Sequence, residues 1–267
     1  MYTQSSMSDL MESLTESCLF CYPGEQKKQI IGYTPNFYIF VGLGQIIKGY
    51  VLIVSRTHTD CIAALSGKQQ EELEHVQDIV RQMYLDKYGN ASLFFEHGRI
   101  GSCMNMSGTR HCYHAHLHCT PAPNDSEGNP IDLLPEIDIL PKKVTSFSEI
   151  VEKSDGCPYL YYENSKEEKY LFGLTSRPIE SQFLRRKLAK ARNLPEAIAD
   201  WKENPTWETV YNIRDQLSIW LAKNHTGHIL ANDSSSLISK EVDFQQPISN
   251  ISLPRGENGG NKVVNEL

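Results

Sequence analysis

The sequence predicts an α+β fold, in which an antiparallel sheet of about five strands carries one long helix on one face and is followed by a smaller C-terminal α/β extension. Two observations predict the sheet and its helix. Short runs rich in β-branched and aromatic residues occur at 36–41 and 50–55, with a glycine-containing turn between them. Apolar residues at helical spacing then fill 66–88, where Ser66 is the expected N-cap.

The next elements complete the predicted sheet. Residues 91–96 form a further strand, 98–108 a loop containing Gly, Ser and Asn, and 111–120 a strand of alternating pattern. Apart from the long helix, the connections between these strands are too short for parallel crossovers. The sheet is therefore expected to be antiparallel.

The chain is expected to divide into four parts. A flexible N-terminus at 1–15 precedes the sheet domain at 16–122, and an extension at 123–223 packs against that domain. The extension contains a predicted hairpin at 159–173 and helical patterns in 180–192 and 206–223. Beyond it, a segment low in aromatic residues and rich in Asn, Ser and Gly predicts a largely flexible tail at 224–267.

Composition excludes several classes of protein. The 267 residues include 33 acidic and 26 basic side chains, and a net charge of −7 argues against a protein that coats nucleic acid or an anionic membrane. No apolar run approaches the ~20 residues of a membrane helix, and no secretory signal is visible, so a cytoplasmic protein is expected. An odd count of seven cysteines predicts thiols or metal ligands rather than a disulfide framework.

Three histidines alternate in the segment His114-Ala115-His116-Leu117-His118. Because residues i, i+2 and i+4 of a strand share one face, the three imidazoles are expected to lie side by side. Burying three imidazoles costs free energy unless each has a partner, which favours a functional role. Two interpretations remain open: a metal site that uses all three rings, or catalysis in which one ring attacks and its neighbours orient it and bind charge.

A second motif is Cys18-Leu19-Phe20-Cys21. This spacing occurs in metal sites, in redox pairs and in buried thiols, and the motif by itself leaves these three open. Zinc requires about four nitrogen or sulfur ligands, so a metal site needs two further residues from elsewhere in the chain.

The histidine alternation resembles the signature of the histidine triad (HIT) superfamily of nucleotidyl hydrolases and transferases. The order of the surrounding elements, from the Cys-Leu-Phe-Cys motif through the strand pair, the helix and the loop, is similar as well, and the resemblance covers roughly residues 16–122. It implies a HIT-like bent antiparallel sheet with one long helix. It also implies attack on a phosphoanhydride or phosphoramidate of a small nucleotide-like substrate through a covalent nucleotidyl-histidine intermediate, and a possible homodimer.

The resemblance assigns roles to individual residues. Within the motif that His114 opens, His116 is the expected nucleophile and His118 the hydrogen-bond donor to phosphate oxygens. His111, three residues before the motif, would protonate the leaving group or bind phosphate. In some relatives a Cys-x-x-Cys pair joins two histidines around a structural zinc. The matching set here is Cys18, Cys21, His58 and His114.

Further residues are predicted to contact the substrate. Phe20 and Phe40 would line an apolar base pocket, Glu96 would orient a histidine or bind a sugar hydroxyl, and His97 is a neighbouring candidate. Polar residues at a helix N-terminus can hold an anion, and the candidates in the extension are Ser181, Gln182 and Arg185. Two alternatives accompany the enzyme hypothesis: a catalytically weak nucleotide-binding or interaction module, and a metal-dependent enzyme that uses all three triad histidines.

Overall fold

The computed structural model of the protein describes residues 18–21, 23–98, 114–134, 137, 139–174, 180, 182–225 and 230–231. They form an α+β fold around one sheet with the strand order β6-β8-β7-β4-β5-β3-β2-β1-β9, and every neighbouring pair is antiparallel. The strands are β1 Ile30–Tyr33, β2 Phe37–Val41, β3 Val51–Ser55, β4 Ser92–Gly98, β5 His116–Pro121, β6 Lys142–Val144, β7 Tyr159–Glu163, β8 Lys169–Gly173 and β9 Leu230–Ala231. The predicted α+β class and the antiparallel sheet are confirmed.

Two long helices pack against the sheet, whereas a single long helix was predicted for the sheet domain. The helices are α1 Gly67–Tyr88, α2 Ile150–Lys153, α3 Phe183–Ala191 and α4 Trp207–Asn224, with 3-10 turns at Gly24–Gln29, Ile62–Ala64, Phe147–Glu149 and Glu196–Ala199. Helix α1 begins with a capping box, in which Ser66 and Gln69 each accept a hydrogen bond from the backbone of the other. It ends at Gly89, whose left-handed backbone terminates the helix.

The sheet is covered on both faces. Side chains of α1 and α4, such as Val80 and Leu217, share one apolar core with Leu117 of β5. Leu184 and Leu188 of α3 share a second core with residues of the other face, including Leu52 and Phe95. Because side chains alternate along a strand, Leu117 and Cys119 face α1 while His116 and His118 face the α3 side.

The predicted hairpin of the extension continues the same sheet. Strand β7 pairs with β4 from Phe94↔Glu163 to Gly98↔Tyr159, and β8 pairs with β7. The hairpin itself is confirmed, but it forms part of the central sheet and not a separate packing unit. The predicted terminal segments lie outside the described residues, apart from the end of α4, His225 and β9.

A buried ion pair attaches α1 to β7, a strand of the extension. The Glu163 carboxylate is fully buried and accepts hydrogen bonds from Arg81, from Gln77 Nε2 at 2.7 Å and from the Tyr161 hydroxyl at 2.9 Å. A buried carboxylate with this many donors is fully compensated. Within the described part of the chain, no helix is long and apolar enough to cross a membrane.

Candidate functional site

Three separate segments bring cysteine and histidine side chains together beside strand β5. A tight turn holds Cys18 and Cys21, since the Cys21 N–H donates to the Cys18 carbonyl at 3.1 Å. The Tyr38 hydroxyl donates to the Phe20 carbonyl at 2.8 Å and attaches this turn to β2. His58 follows β3, and His114 lies just before β5.

The ligand atoms of Cys18, Cys21, His58 and His114 all lie within 4.8 Å of one another. His114 Nδ1 is 3.4 Å from Cys18 Sγ and 3.6 Å from Cys21 Sγ, and His58 Nδ1 is 3.2 Å from Cys21 Sγ. Ligands around a tetrahedral zinc with usual bond lengths are ~3.3–3.8 Å apart. The four residues therefore form a cluster of the size and chemistry that could bind a metal ion.

Hydrogen bonding prepares His114 as a ligand. Its Nε2 donates to the Ser55 carbonyl at 2.6 Å, because a carbonyl oxygen can only accept. In the neutral ring Nδ1 then carries the lone pair, and Nδ1 is the atom that faces the two sulfurs. Burial lowers the pKa of His114 to about 3, so the ring is neutral at pH 7.

The cysteines must lose protons to bind a metal. Burial raises the pKa of the Cys21 thiol to about 11, so metal binding at neutral pH has to displace its proton. Cys18 is disulfide-bonded in this structure, and its sulfur becomes a thiolate ligand only after reduction. The metal-binding form of the cluster is therefore the reduced one.

The other two histidines of the alternation lie next to this cluster, and their half-buried rings, with those of Phe20 and Phe95 beside them, form the surface here named the recess. The His116 and His118 rings are half-buried and in edge contact, with 4.7 Å between their centroids. His116 Nδ1 donates to the His114 carbonyl at 2.6 Å, which leaves the lone pair of the neutral ring on Nε2. The cluster and the recess are thus adjacent along one strand but use different rings.

His118 is fixed by its neighbours. Its Nδ1 lies 2.7 Å from the Tyr50 hydroxyl, and its ring stacks on Phe95 with 4.8 Å between centroids. Burial holds the pKa of His118 well below its ordinary value, with further contributions from the charges of His116, Arg185 and His97. His97 lies two residues after Phe95 on β4, so the predicted candidate is on the same face of the sheet as His118.

The aromatic candidates form one wall of the recess. Phe20 contacts the rings of Phe40, His114 and His116, with centroid distances of 6.2, 5.5 and 5.0 Å. Phe40 is buried under Phe20. Phe20 is carried by the turn that holds both cysteines, so the position of this wall depends on the cluster.

Glu96 lies on the other face of the sheet from the recess. Its carboxylate accepts hydrogen bonds from the Ile62 N–H at 2.8 Å and from the Tyr159 hydroxyl. Register explains the difference, because Phe95 pairs with His118 and shares its face, which turns Glu96 toward α1. The expectation that Glu96 orients a histidine is therefore wrong.

Arg185 is buried among backbone carbonyls. It donates to the carbonyls of Ala199 at 3.0 Å and Gly44 at 2.9 Å, and its guanidinium lies over the Tyr50 ring at 4.8 Å. A Cβ on Gly44 would lie 2.7 Å from this guanidinium, so the glycine permits the contact. In the structure Arg185 supports Tyr50 and does not face the recess as an open anion ligand.

The remaining candidates are only partly described. Gln182 is half-buried in a left-handed conformation at the start of α3. His111 and Ser181 lie outside the described residues. Of the three alternating histidines, only His114 belongs to the metal-binding group found in the described part of the chain, so a site that uses all three is not what the structure shows.

Comparison with protein families finds a match for the first half of the chain. The first half of the chain is similar to the C-terminal region of CwfJ. The matching family is described as "Protein similar to CwfJ C-terminal" and covers residues 7–131, a little under half of the chain. No curated protein matches the chain.

This match corrects the assignment made from the sequence motif. The family that matches is the CwfJ C-terminal-like family and not the histidine triad family, so the predicted membership of the HIT superfamily is wrong. The predicted nucleotidyl hydrolase or transferase activity was implied by that membership, and the match gives no support for it. That the chain is an enzyme stays a prediction.

Sequence reasoning missed three groups at the site: the Tyr50 hydroxyl, the Phe95 ring and the Ser55 carbonyl. Tyr50 and Phe95 lie in apolar runs where an aromatic residue has no distinguishing signal. Tyr50 can be found once the register is known. Leu52 pairs with His118, and Tyr50 lies two residues before Leu52, so it belongs to the same face of the sheet as His118. The Ser55 contact is made by the backbone and leaves no trace in the sequence.

Proposed function

We propose that this chain is a zinc-binding module in which Cys18, Cys21, His58 and His114 hold a structural zinc ion. The observation that carries the proposal is the convergence of two cysteine sulfurs and two imidazole nitrogens within 4.8 Å. Sulfur and imidazole nitrogen are the ligands that zinc prefers in structural sites. A hard cation such as Mg²⁺ or Ca²⁺ needs oxygen ligands, which this set does not offer.

The ligand set favours a structural rather than a catalytic ion. Structural zinc sites have four protein ligands, whereas catalytic sites keep one position for water or substrate. Cys18, Cys21 and His114 are buried, so three of the four ligands exclude solvent from the centre. The backbone hydrogen bond from His114 to Ser55 is the kind of outer contact that orients a ligating ring.

The ion would join parts of the chain that are distant in sequence. Cys18 and His114 are 96 residues apart, and the hydrogen bond from Tyr38 also attaches the cysteine turn to the sheet. Zinc would therefore fix this turn on β5 and hold Phe20 against His116. The proposed role of the ion is to build the wall of the recess.

The experiment is metal reconstitution of the reduced full chain. We expect one zinc per chain by elemental analysis, and loss of that zinc in Cys21→Ser and His114→Ala. His116→Ala is the matched control: its ring contacts the same Phe20 but lies outside the ligand set, and it should retain the metal. Zinc content that survives Cys21→Ser, or that falls in His116→Ala, would contradict the proposed ligand set.

A further inference from the structure

Within the described part of the chain, the Glu96 carboxylate on β4 is buried without a cation. Glu96 is only 2% exposed and lies in the layer between the sheet and α1. It accepts hydrogen bonds from two neutral donors, the Ile62 N–H at 2.8 Å and the Tyr159 hydroxyl. None of the Lys, Arg or His side chains in the described part of the chain forms an ion pair with it.

Both donors connect Glu96 to the 3-10 turn Ile62–Ala64. Tyr159 accepts a hydrogen bond from the Ala63 N–H at 3.2 Å while it donates to Glu96. The end of β4 permits this arrangement, because a Cβ on Gly98 would lie 2.0 Å from the Tyr159 ring. Two consecutive amides of the turn, those of Ile62 and Ala63, are therefore held through one carboxyl group and one phenol.

Among the described residues, the polar groups that face Glu96 from the surrounding elements are few and uncharged at neutral pH. The turn contributes the Cys61 thiol, β7 contributes the Tyr159 phenol, and α1 contributes Gln70, whose Nε2 donates to the Ile62 carbonyl at 3.3 Å. Burial raises the pKa of Cys61 to about 11 and that of Tyr159 well above its ordinary value. Among these groups, only Glu96 is placed to change its charge near neutrality.

We propose that the protonation state of Glu96 controls whether the turn Ile62–Ala64 stays closed on β4. The Glu96 carboxyl group and its two hydrogen bonds are named the latch. When protonated, Glu96 is a neutral buried group that holds the turn closed on β4. When ionised, it is a buried charge that is better solvated if the turn opens and admits water.

The difference in the pKa of Glu96 between the closed and open forms determines how pH changes the opening of the turn. Burial raises the pKa of Glu96 from 4.5 to about 7 in the closed form. Since the closed form binds the proton more tightly than an open, hydrated form, a rise in pH favours opening. The opening equilibrium should increase by about tenfold per pH unit between about pH 5 and pH 7 and level off above that range.

The latch is placed where the turn can affect the cluster described above. The chain runs from His58 through Thr59 into this turn, and the Thr59 carbonyl accepts a hydrogen bond from the Ala115 N–H at 2.5 Å. Opening of the turn would loosen the segment that carries His58. The latch itself does not depend on metal binding, because its groups lie on the α1 side of the sheet.

The test is amide hydrogen exchange of the full chain, resolved by residue and divided by the intrinsic exchange rate at each pH. In the wild type, the protection of Ile62 and Ala63 should fall by about tenfold per unit between about pH 5 and pH 7. In Glu96→Gln, which keeps the shape and removes the charge, this protection should no longer depend on pH. Glu163→Gln is the matched control: it alters another buried carboxylate of the same layer, one that has a cation, and should leave the pH dependence at Ile62 and Ala63 intact.

Three outcomes would overturn the latch. The first is protection at Ile62 and Ala63 that is independent of pH in the wild type, and the second is a pH dependence that persists in Glu96→Gln. The third is a titration midpoint at or below the ordinary value of 4.5 for the ¹³C shift of the Glu96 carboxyl carbon, where the proposal expects a midpoint near 7. This measurement uses the wild type alone, so it applies even if Glu96→Gln does not fold.

Discussion

Zinc binding to the reduced cluster should release protons, and their number can be worked out from the structure. The Cys21 thiol has a pKa of about 11 and is protonated at pH 7, so it loses one proton when zinc binds. A reduced Cys18 has to lose its thiol proton as well, because the thiolate is the form that binds the ion. His114 has a pKa of about 3 and releases none. The affinity for zinc should therefore rise by up to about 100-fold per pH unit between about pH 6 and pH 8.

Calorimetry provides the assay. Zinc is titrated into reduced protein in buffers of different ionisation enthalpy, and the dependence of the observed heat on the buffer gives the proton count. We expect nearly two protons per zinc in the wild type and no heat of zinc binding in Cys21→Ser, which lacks one of the four ligands. Cys157→Ser removes a thiol that lies outside the cluster and should leave the count unchanged. Zinc binding without proton release, or a count that Cys21→Ser does not alter, would refute the assignment of Cys21 as a thiolate ligand.

Three further predictions concern the fold and the recess. Arg81→Ala leaves the carboxylate of Glu163 buried without its cation and should lower the free energy of unfolding by about 3–5 kcal/mol, measured by denaturant titration. A much smaller loss would mean that water reaches Glu163. Ser66→Ala removes the capping box of α1 and should cost about 1 kcal/mol in the same assay, with Ser66→Thr as the variant that retains most of it. His118, whose pKa is held well below the ordinary value by burial, should titrate below the ordinary 6.5, and an NMR titration that shows it protonating at or above 6.5 would contradict this environment.

The candidate site was predictable where its geometry follows from local periodicity. A strand places alternate residues on one face whatever its partners, so the pattern from His114 to His118 was sufficient to group His116 and His118. The four residues of the metal cluster were named from the motif order of a family that the comparison then replaced. The ligand set survives that correction because it rests on distances in the structure.

Glu96 and Arg185 show where local patterns fail. Glu96 is one residue away from the face that carries His118, and that single step depends on the register between β4 and β5. No feature of residues 91–96 determines that register. Arg185 has the composition of an anion ligand, but the approach of α3 to the Gly44 turn gives its donors to backbone carbonyls instead. A side chain with several donors satisfies whichever acceptors the tertiary structure places nearby.

Short-range signals in the sequence were sufficient to predict several elements. These are helix α1 with its Ser66 cap and Gly89 end, strands β2 to β5, and the hairpin of β7 and β8. No local pattern predicts that this hairpin extends the central sheet through β4. The edge of any strand offers the same backbone donors and acceptors, so the partner of a strand is selected by the packing of side chains on both faces of the sheet and not by the strand's own residues.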